Sequence, residues 1–247
     1  MNRFFLLNTP IHVGESVDLA PLAHQLHTVL RQKPGNQIQL LDNTNYMYTV
    51  SITALSKRNG QGHVLDKQLL DTEPRVHLTL YQCSLKADKF EWVLQKGTEL
   101  GVSRFVPVIS QRSITRPASA LLRKYDRWQA IIREAAEQCG RGCLPMLEEP
   151  IEWGEAVRQT NEGIHFLPWE VSDRDSESLT MATRRFLTAH HLSSISLLIG
   201  PEGGISEDEA SLAYSEGWEI VTLGPRILRA ETAAVAAVAV VMAECGG

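Results

Sequence analysis

The chain has 247 residues, of which 43% are hydrophobic and 21% are charged, a balance typical of a globular protein and not of a disordered one. No apolar run reaches the roughly 18 to 20 residues needed to span a bilayer, and no secretory cleavage site follows the first residues, so we expect a cytoplasmic protein without a membrane segment. The formal net charge of −5 argues against a protein that coats nucleic acid through bulk electrostatics.

The first 73 residues are predicted to form a small β-rich domain. Residues 36–41 and 46–52 are β-prone, and an Asp-Asn-Thr-Asn turn signal separates them. Residues 19–29 carry apolar side chains at the spacing of one helical face. The basic, glycine-bearing segment 57–62 is predicted to be a mobile loop.

From residue 74 onward, β-prone runs alternate with helical patterns, which predicts an α/β domain with a parallel sheet and helices on its faces. The β-prone runs are residues 76–81, 104–109, 164–169, 195–199 and 219–223. One amphipathic helix is predicted to stop at Gly101, and a longer one extends from Tyr125 to Cys139. Ser206 and Glu209 have the spacing of a capping box at the start of another helix. The predicted domains are therefore 1–73 and 74–247.

The last predicted helix, residues 231–244, consists almost entirely of alanine and valine. Small side chains let a helix approach its neighbours closely, which predicts burial in the core or at a subunit interface. The core is the simpler of these two alternatives, and the sequence leaves both open.

The four cysteines predict neither a disulfide nor a metal site. Cys139 and Cys143 are the only close pair, and no other cysteine or histidine stands near them to complete a set of metal ligands. We therefore expect ordinary reduced thiols.

Basic residues are concentrated between Arg104 and Arg141, where few acidic residues oppose them. This stretch is either a basic surface for nucleic acid or a set of solvated helix faces. Charge alone does not decide between these interpretations.

Two glycine-bearing turns carry the strongest functional signal. The first turn is Gly200-Pro201-Glu202-Gly203-Gly204, and the second is Leu223-Gly224-Pro225-Arg226-Ile227-Leu228-Arg229-Ala230-Glu231-Thr232-Ala233. Glycines between a strand and a helix let backbone groups approach a small molecule, so the two turns are predicted to share one pocket. Their spacing fits neither the dinucleotide fingerprint nor a phosphate-binding loop.

The side chains of these turns suit a cationic ligand. Glu202 and Glu231 would repel phosphate and attract an amine or sulfonium charge, such as that of S-adenosylmethionine. The apolar residues beside them are suited to hold its adenine. Arg226 and Arg229 either bind RNA phosphate and polarise a base, or form structural ion pairs with the two glutamates.

With these motifs, the chain resembles the RsmE-type family of 16S rRNA (uracil N3) methyltransferases of the SPOUT superfamily. The resemblance extends over nearly the whole chain and includes, besides the two turns, residues 3–5, 27–31, 95–102, 110–113 and 134–138. It implies a PUA-like β-barrel that helps to bind RNA in the first domain. It also implies an α/β second domain with a deep trefoil knot around the cofactor pocket, and a homodimer with the pocket close to the subunit interface.

The activity that the resemblance implies is methyl transfer from S-adenosylmethionine to N3 of a uridine in 16S rRNA, within the small ribosomal subunit. Arg229 is expected to stabilise the developing uracil anion, and Glu231 or Glu202 is expected to accept the proton or to hold the arginine. The catalytic residues are therefore predicted to be Arg229 and Glu231. The predicted cofactor-binding residues are Leu167, Leu198, Ile199, Gly200, Pro201, Glu202, Gly203, Leu223, Gly224, Ile227, Leu228 and Thr232. RNA contacts are predicted at Arg3, Arg31, Arg112, Arg116 and Arg226, and no metal is predicted.

Two alternatives stay open at this point. One is a non-catalytic RNA-binding relative that kept the fold and lost methyl transfer. The other is a related SPOUT enzyme that methylates a ribose 2′-hydroxyl or a different base.

Overall fold

The computed structural model describes residues 1–114, 117–159, 163–170, 176–189 and 194–246. Contacts divide the chain into two compact units. The first unit contains Met1–Glu73 together with Ala136–Leu144, and the second contains Pro74–Ala135 and the chain from Pro145 onward. The segment from residue 136 to 144 therefore groups with the first unit, whereas the sequence-based division included it in 74–247. That division stays a prediction.

The first unit is built on a five-stranded sheet. Its strands are β1 (Arg3–Phe5), β2 (Ser16–Asp18), β3 (Gln37–Leu41), β4 (Tyr46–Leu55) and β5 (Gly60–Leu69), in the order β1-β3-β4-β5-β2. β1 runs parallel to β3, and the other neighbours are antiparallel. The order ends at β1 and β2, so closure into a barrel stays an expectation from the resemblance.

Two short helical turns stand between β2 and β3, where the sequence predicted one helix. Ala20–Leu22 is a 3₁₀ turn and Gln25–Val29 is a π-type turn. Leu22 and Leu26 are buried as the pattern predicts, whereas Val29 is 64% exposed. These turns depart from the α-helical period, so the predicted apolar face does not continue as far as Val29.

The prediction of a mobile loop over residues 57–62 was wrong at its end. A turn closes where the Ser56 N–H donates to the Asn59 carbonyl at 2.8 Å, and β5 begins at Gly60. A Cβ on Gly62 would stand 2.4 Å from Val50 Cγ1. Glycine at this position allows the strand to pack closely against its neighbour.

The second unit contains a parallel sheet of seven strands within the described ranges. The strands are β6 (His77–Cys83), β7 (Arg104–Ile109), β8 (Met146–Leu147), β9 (Ile151–Glu152), β10 (Ile164–Pro168), β11 (Ser194–Ile199) and β12 (Glu219–Val221). Their order is β12-β10-β11-β6-β7-β8, with β9 also paired to β7, and every pair is parallel. The predicted α/β class is confirmed, while the knot stays an expectation from the resemblance.

Seven α-helices lie in the described part of the chain. They are α1 (Ala87–Glu99), α2 (Ala118–Leu122), α3 (Tyr125–Cys139), α4 (Trp153–Arg158), α5 (Leu179–Ala189), α6 (Glu207–Ser215) and α7 (Ala230–Glu244). The end of α3 belongs to the first unit. No described helix is long and apolar enough to cross a membrane.

Apolar side chains leave both faces of the parallel sheet. On one face, Leu197 belongs to a core that includes residues of α1, α5 and α7, among them Val238. On the other face, Leu198 packs in a core with Trp153 of α4 and Ala210 of α6. Strands buried on both faces are continuously apolar, which is why these runs stand out in the sequence.

Replacing Leu198 with alanine should lower the free energy of unfolding by about 2–5 kcal/mol, because the side chain is fully buried and its loss leaves a cavity. Urea unfolding measures this change. The control is Ile227→Ala, at a side chain that is 83% exposed, and its effect should stay within about 0.5 kcal/mol. Equal effects in the two variants would contradict the burial of Leu198.

The carboxyl ends of three neighbouring strands bring the functional segments together. β10 lies between β11 and β12, with Phe166 opposite Leu197 and Pro168 opposite Val221. The segments that follow these strands therefore start side by side, at the edge where parallel sheets bind ligands. Two of the three segments are the glycine-bearing turns.

Candidate functional site

A cleft of about 230 Å³ lies at this edge of the sheet. Its lining residues are Lys89, Pro168, Glu170, Ile199, Gly200, Pro201, Glu202, Gly204, Ile205, Ile227, Leu228, Arg229, Ala230 and Ala233. A smaller hollow of about 60 Å³ shares part of this lining and adds residues of the second turn. The two glycine-bearing turns therefore face one cleft, as the sequence predicted.

The predicted cofactor-binding residues occupy four kinds of position. Those that line the cleft are Ile199, Gly200, Pro201, Glu202, Ile227 and Leu228. Leu223 and Gly224 line the smaller hollow. The others are Leu167 and Leu198, which are fully buried in the core beside α4 and α6, Gly203, which contacts Arg112, and Thr232, which is exposed on α7. Ligand contacts at all these positions stay predictions.

Sequence reasoning missed two charged residues of the cleft, Lys89 and Glu170. Lys89 comes from α1, far from both turns along the chain, and no local motif marks it. Glu170 follows β10 directly. Its position after a predicted strand was a usable signal, since ligands bind at the carboxyl ends of parallel strands.

The first turn has its shape because side chains do not fit at two of its glycines. A Cβ on Gly200 would lie 2.7 Å from Ile205 Cγ1. Gly204 has a φ of +73°, and a Cβ there would stand 2.5 Å from Glu170 Oε1. The Gly204 N–H donates to the Pro201 carbonyl at 3.0 Å and closes the turn. The cleft is thus bordered here by backbone.

A lysine stands between two carboxylates beside the cleft. Lys89 Nζ lies 3.6 Å from Glu202 Oε1 and 3.4 Å from Glu231 Oε1. Glu202 Oε1 also accepts the Lys86 N–H at 3.2 Å. The second oxygens, Glu202 Oε2 and Glu231 Oε2, are buried and have no hydrogen-bond partner among the described residues. This side of the cleft is therefore acidic, with Lys89 as a bridging cation.

The two arginines of the second turn are both exposed. Arg229 lines the cleft directly before α7, and Arg226 lines the smaller hollow. Within the described ranges neither forms an ion pair, because Glu202 and Glu231 pair with Lys89 instead. The alternative of structural ion pairs with the glutamates is therefore not realised, and both guanidinium groups are available to a ligand.

The other predicted RNA contacts lie on both units. In the first unit, Arg3 is half-buried with its Nε donating to Gln39 Oε1 at 3.3 Å, and Arg31 is exposed. In the second unit, Arg112 is exposed and its Nη1 donates to the Gly203 carbonyl at 3.2 Å. Arg116 lies outside the described residues.

No group of three or more His, Cys, Asp or Glu side chains in the described part of the chain is arranged to hold a metal ion. No disulfide links the four cysteines, all of which are described. Burial raises the pKa of the Cys83 thiol far above its ordinary value, so this sulfur stays protonated and is not a nucleophile.

Residues 72–242 match the family model of the RNA methyltransferase domain. The chain belongs to this family, in its RsmE group. This RsmE-type chain is 32% identical over 224 residues to ribosomal RNA small subunit methyltransferase E of Synechocystis, an alignment that covers 87% of the chain and 69% of that relative.

Two solved structures resemble this RsmE-type chain over nearly its full length. Ribosomal RNA small subunit methyltransferase E from Neisseria gonorrhoeae, bound to S-adenosyl methionine, is 34% identical with a TM-score of 0.82, covering 97% of this chain and 95% of that one. A methyltransferase from Legionella pneumophila in complex with the bound cofactor SAM is 28% identical with a TM-score of 0.86, covering 98% and 96%. The family and fold class predicted from the sequence are confirmed.

Proposed function

We propose that this chain uses S-adenosylmethionine to methylate N3 of a uridine in 16S ribosomal RNA. The observation that carries the proposal is that both family-specific turns line one cleft, with Arg229 exposed in it. The substrate is RNA of the small ribosomal subunit, and we therefore place the reaction in the cytoplasm. The target base must leave its stack to reach the cleft.

The cleft fits the methyl donor chemically. Ile199, Ile227 and Leu228 form an apolar lining suited to an adenine, and the bordering backbone of residues 200–204 offers hydrogen bonds. The carboxylates of Glu170 and Glu202 favour a cationic ligand. When bound, S-adenosylmethionine supplies an electrophilic methyl group on a positively charged sulfur.

The residues of the second turn supply the remaining chemistry. The bond from the methyl carbon to uridine N3 forms as the carbon–sulfur bond breaks, and the N3 proton is lost. Arg229 stabilises the negative charge that develops on the uracil, since a fixed cation is most effective in a site with little water. Positioning of the base and the methyl group supplies the rest of the rate enhancement.

Glu231 is the carboxylate that we assign to the N3 proton. In the described ranges its polar partner is Lys89 alone, whereas Glu202 also holds the Lys86 N–H. Glu202 thereby fixes the first turn against the start of α1, and Glu231 is less committed to structure. Its position two residues after Arg229 puts the acceptor beside the cation that stabilises the anion.

The direct test is mass spectrometry of nucleosides from 16S rRNA incubated with the protein and S-adenosylmethionine. We expect one new 3-methyluridine. Calorimetry with S-adenosylmethionine alone should show binding. Absence of binding heat would favour a non-catalytic relative, and a label on a ribose or on another base would favour a different SPOUT enzyme.

Arg112→Ala should weaken RNA binding and lower the slope of log affinity against log salt by about one, because one phosphate contact is lost. Titrations of 16S rRNA fragments at several salt concentrations measure this slope. The control is Arg158→Ala, which removes an exposed arginine paired with Glu216 on α4. An unchanged slope for Arg112→Ala would remove that residue from the RNA footprint.

A homodimer is part of the proposal. It is supported by a second stripe on α7, opposite the core-facing one, that is only partly covered: Thr232, Val235, Ala236, Ala239 and Ala243. Ile227 is 83% exposed beside the cleft. Apolar and small residues exposed in this way suit a partner subunit. Light scattering should give twice the 27.5 kDa chain mass, and a monomer would refute the dimer.

A further inference from the structure

Glu209 is a buried carboxylate on α6, 9% exposed. The predicted capping box is confirmed: Glu209 Oε2 accepts the Ser206 N–H at 3.1 Å, and Ser206 Oγ accepts the Glu209 N–H at 3.3 Å. The Trp153 Nε1–H donates to the Glu209 carbonyl at 3.2 Å. Backbone and side chain of Glu209 are both held in place, directly after the first glycine-bearing turn.

The second carboxylate oxygen of Glu209 reaches beyond the helix. Glu209 Oε1 accepts the Gln111 N–H at 2.6 Å, a short distance typical of a charge-assisted hydrogen bond. A capping box requires only one carboxylate oxygen, so this second bond is not needed to start α6. It joins positions 98 residues apart in the sequence.

Gln111 belongs to the tight turn that follows β7. The Ser113 N–H donates to the Ser110 carbonyl at 3.1 Å, and the Ser110 N–H donates to Ser113 Oγ at 3.0 Å. With its ends joined in this way, the turn moves as a unit. A bond that fixes the Gln111 amide therefore fixes the neighbouring Arg112 as well.

Arg112 lies directly against the first glycine-bearing turn. Its Nη1 donates to the Gly203 carbonyl at 3.2 Å. A Cβ on Gly203 would lie 3.0 Å from Arg112 Cβ and 3.2 Å from the Arg112 carbonyl oxygen. The two turns therefore pack closely, and Glu209 ties them together from one side.

We propose that Glu209 is a positioning residue for methyl transfer. By holding the Gln111 amide it fixes the turn that carries Arg112 against the turn that borders the cleft, so that RNA and methyl donor are held in one register. This inference rests on the proposed function. Glu209 is not among the residues that line the cleft and acts through Arg112 and residues 200–204.

Hydrogen exchange in the full chain without ligand tests the contact independently of activity. Glu209→Gln keeps the shape but puts an NH₂ group where one of the two N–H donors needs an acceptor. The matched control is Glu207→Gln, which removes the same charge from an exposed position in the same helical turn. We expect amide exchange over residues 110–113 to become about tenfold faster in Glu209→Gln and to stay unchanged in the control, given the usual strength of such bonds.

A second variant separates positioning from helix capping. Glu209→Asp keeps the charge but is one methylene shorter, so it can cap α6 without reaching Gln111. Faster exchange over residues 110–113 with unchanged exchange in α6 supports the proposal. Faster exchange confined to α6 in both Glu209 variants would overturn it and leave Glu209 as a helix cap.

Kinetics then test the coupling to Arg112. We expect Glu209→Gln to lower kcat/KM for 16S rRNA by about tenfold, since small displacements of positioning groups are costly. In combination with Arg112→Ala it should add no further loss, because both changes act on the same turn. Losses that multiply would overturn the coupling. An inactive wild-type protein would refute the proposed function instead, while the exchange data still decide the contact.

Discussion

Arg229→Ala should lower kcat for methyl transfer by about 10²- to 10³-fold, the usual loss when a group that stabilises transition-state charge is removed. Arg229 lines the cleft, and within the described ranges no carboxylate pairs with it. Its charge is therefore available to the uracil as N3 becomes anionic. Affinity for S-adenosylmethionine should change little, because a positive side chain contributes nothing favourable to a positive ligand.

The measurement is single-turnover methyl transfer to 16S rRNA at saturating methyl donor. Arg226→Ala is the informative comparison, because it removes an exposed arginine from the same turn. We expect Arg226→Ala to raise KM for RNA while kcat stays close to that of the wild type, as for a residue that binds substrate and transition state alike. A similar loss of kcat in both variants would contradict the assignment of Arg229 to the anion.

Glu231→Gln should lower the rate of methyl transfer at neutral pH by about 10²-fold, the lower end for loss of a general base. The amide cannot take the N3 proton, so the reaction then depends on uridine that has ionised in solution. Since more uridine ionises as pH rises, the rate of the variant should climb steadily with pH and approach that of the wild type. The measurement is a single-turnover pH profile.

Glu202→Gln is the control for that prediction. Both changes remove one carboxylate beside Lys89, but Glu202 also accepts the Lys86 N–H and borders the cleft. We expect Glu202→Gln to weaken binding of S-adenosylmethionine and to keep the pH profile of the wild type. The reverse pattern would transfer the proton to Glu202. Normal profiles in both variants would exclude a carboxylate base.

Much of the second unit follows from local patterns in the sequence. The run at residues 104–109 and the helix from Tyr125 to Cys139 match the structure residue for residue. Their periods, two for half-buried and continuous for buried strands and 3.6 for helices, reflect how side chains leave each backbone. The capping box of α6 was equally readable, because its two partners are three residues apart.

Predictions failed where geometry departs from those regular periods. The pattern at residues 19–29 suggests one α-helix, but the chain forms a 3₁₀ turn and a π-type turn. The basic segment before β5 looks mobile because of Gly60 and Gly62, which instead permit close packing in a strand. Composition signals conformational freedom, and only the neighbours determine how that freedom is used.

What the sequence by itself determined is the class of fold, the family and the two turns that border the cleft, because each is written in residues close together along the chain. The tertiary structure alone decided which distant side chains join them: Lys89 from α1 between two glutamates, Glu170 after β10, and the bond from Glu209 to Gln111. Contacts of this kind depend on the order in which parallel strands assemble, and the spacing of residues within any one segment does not encode that order.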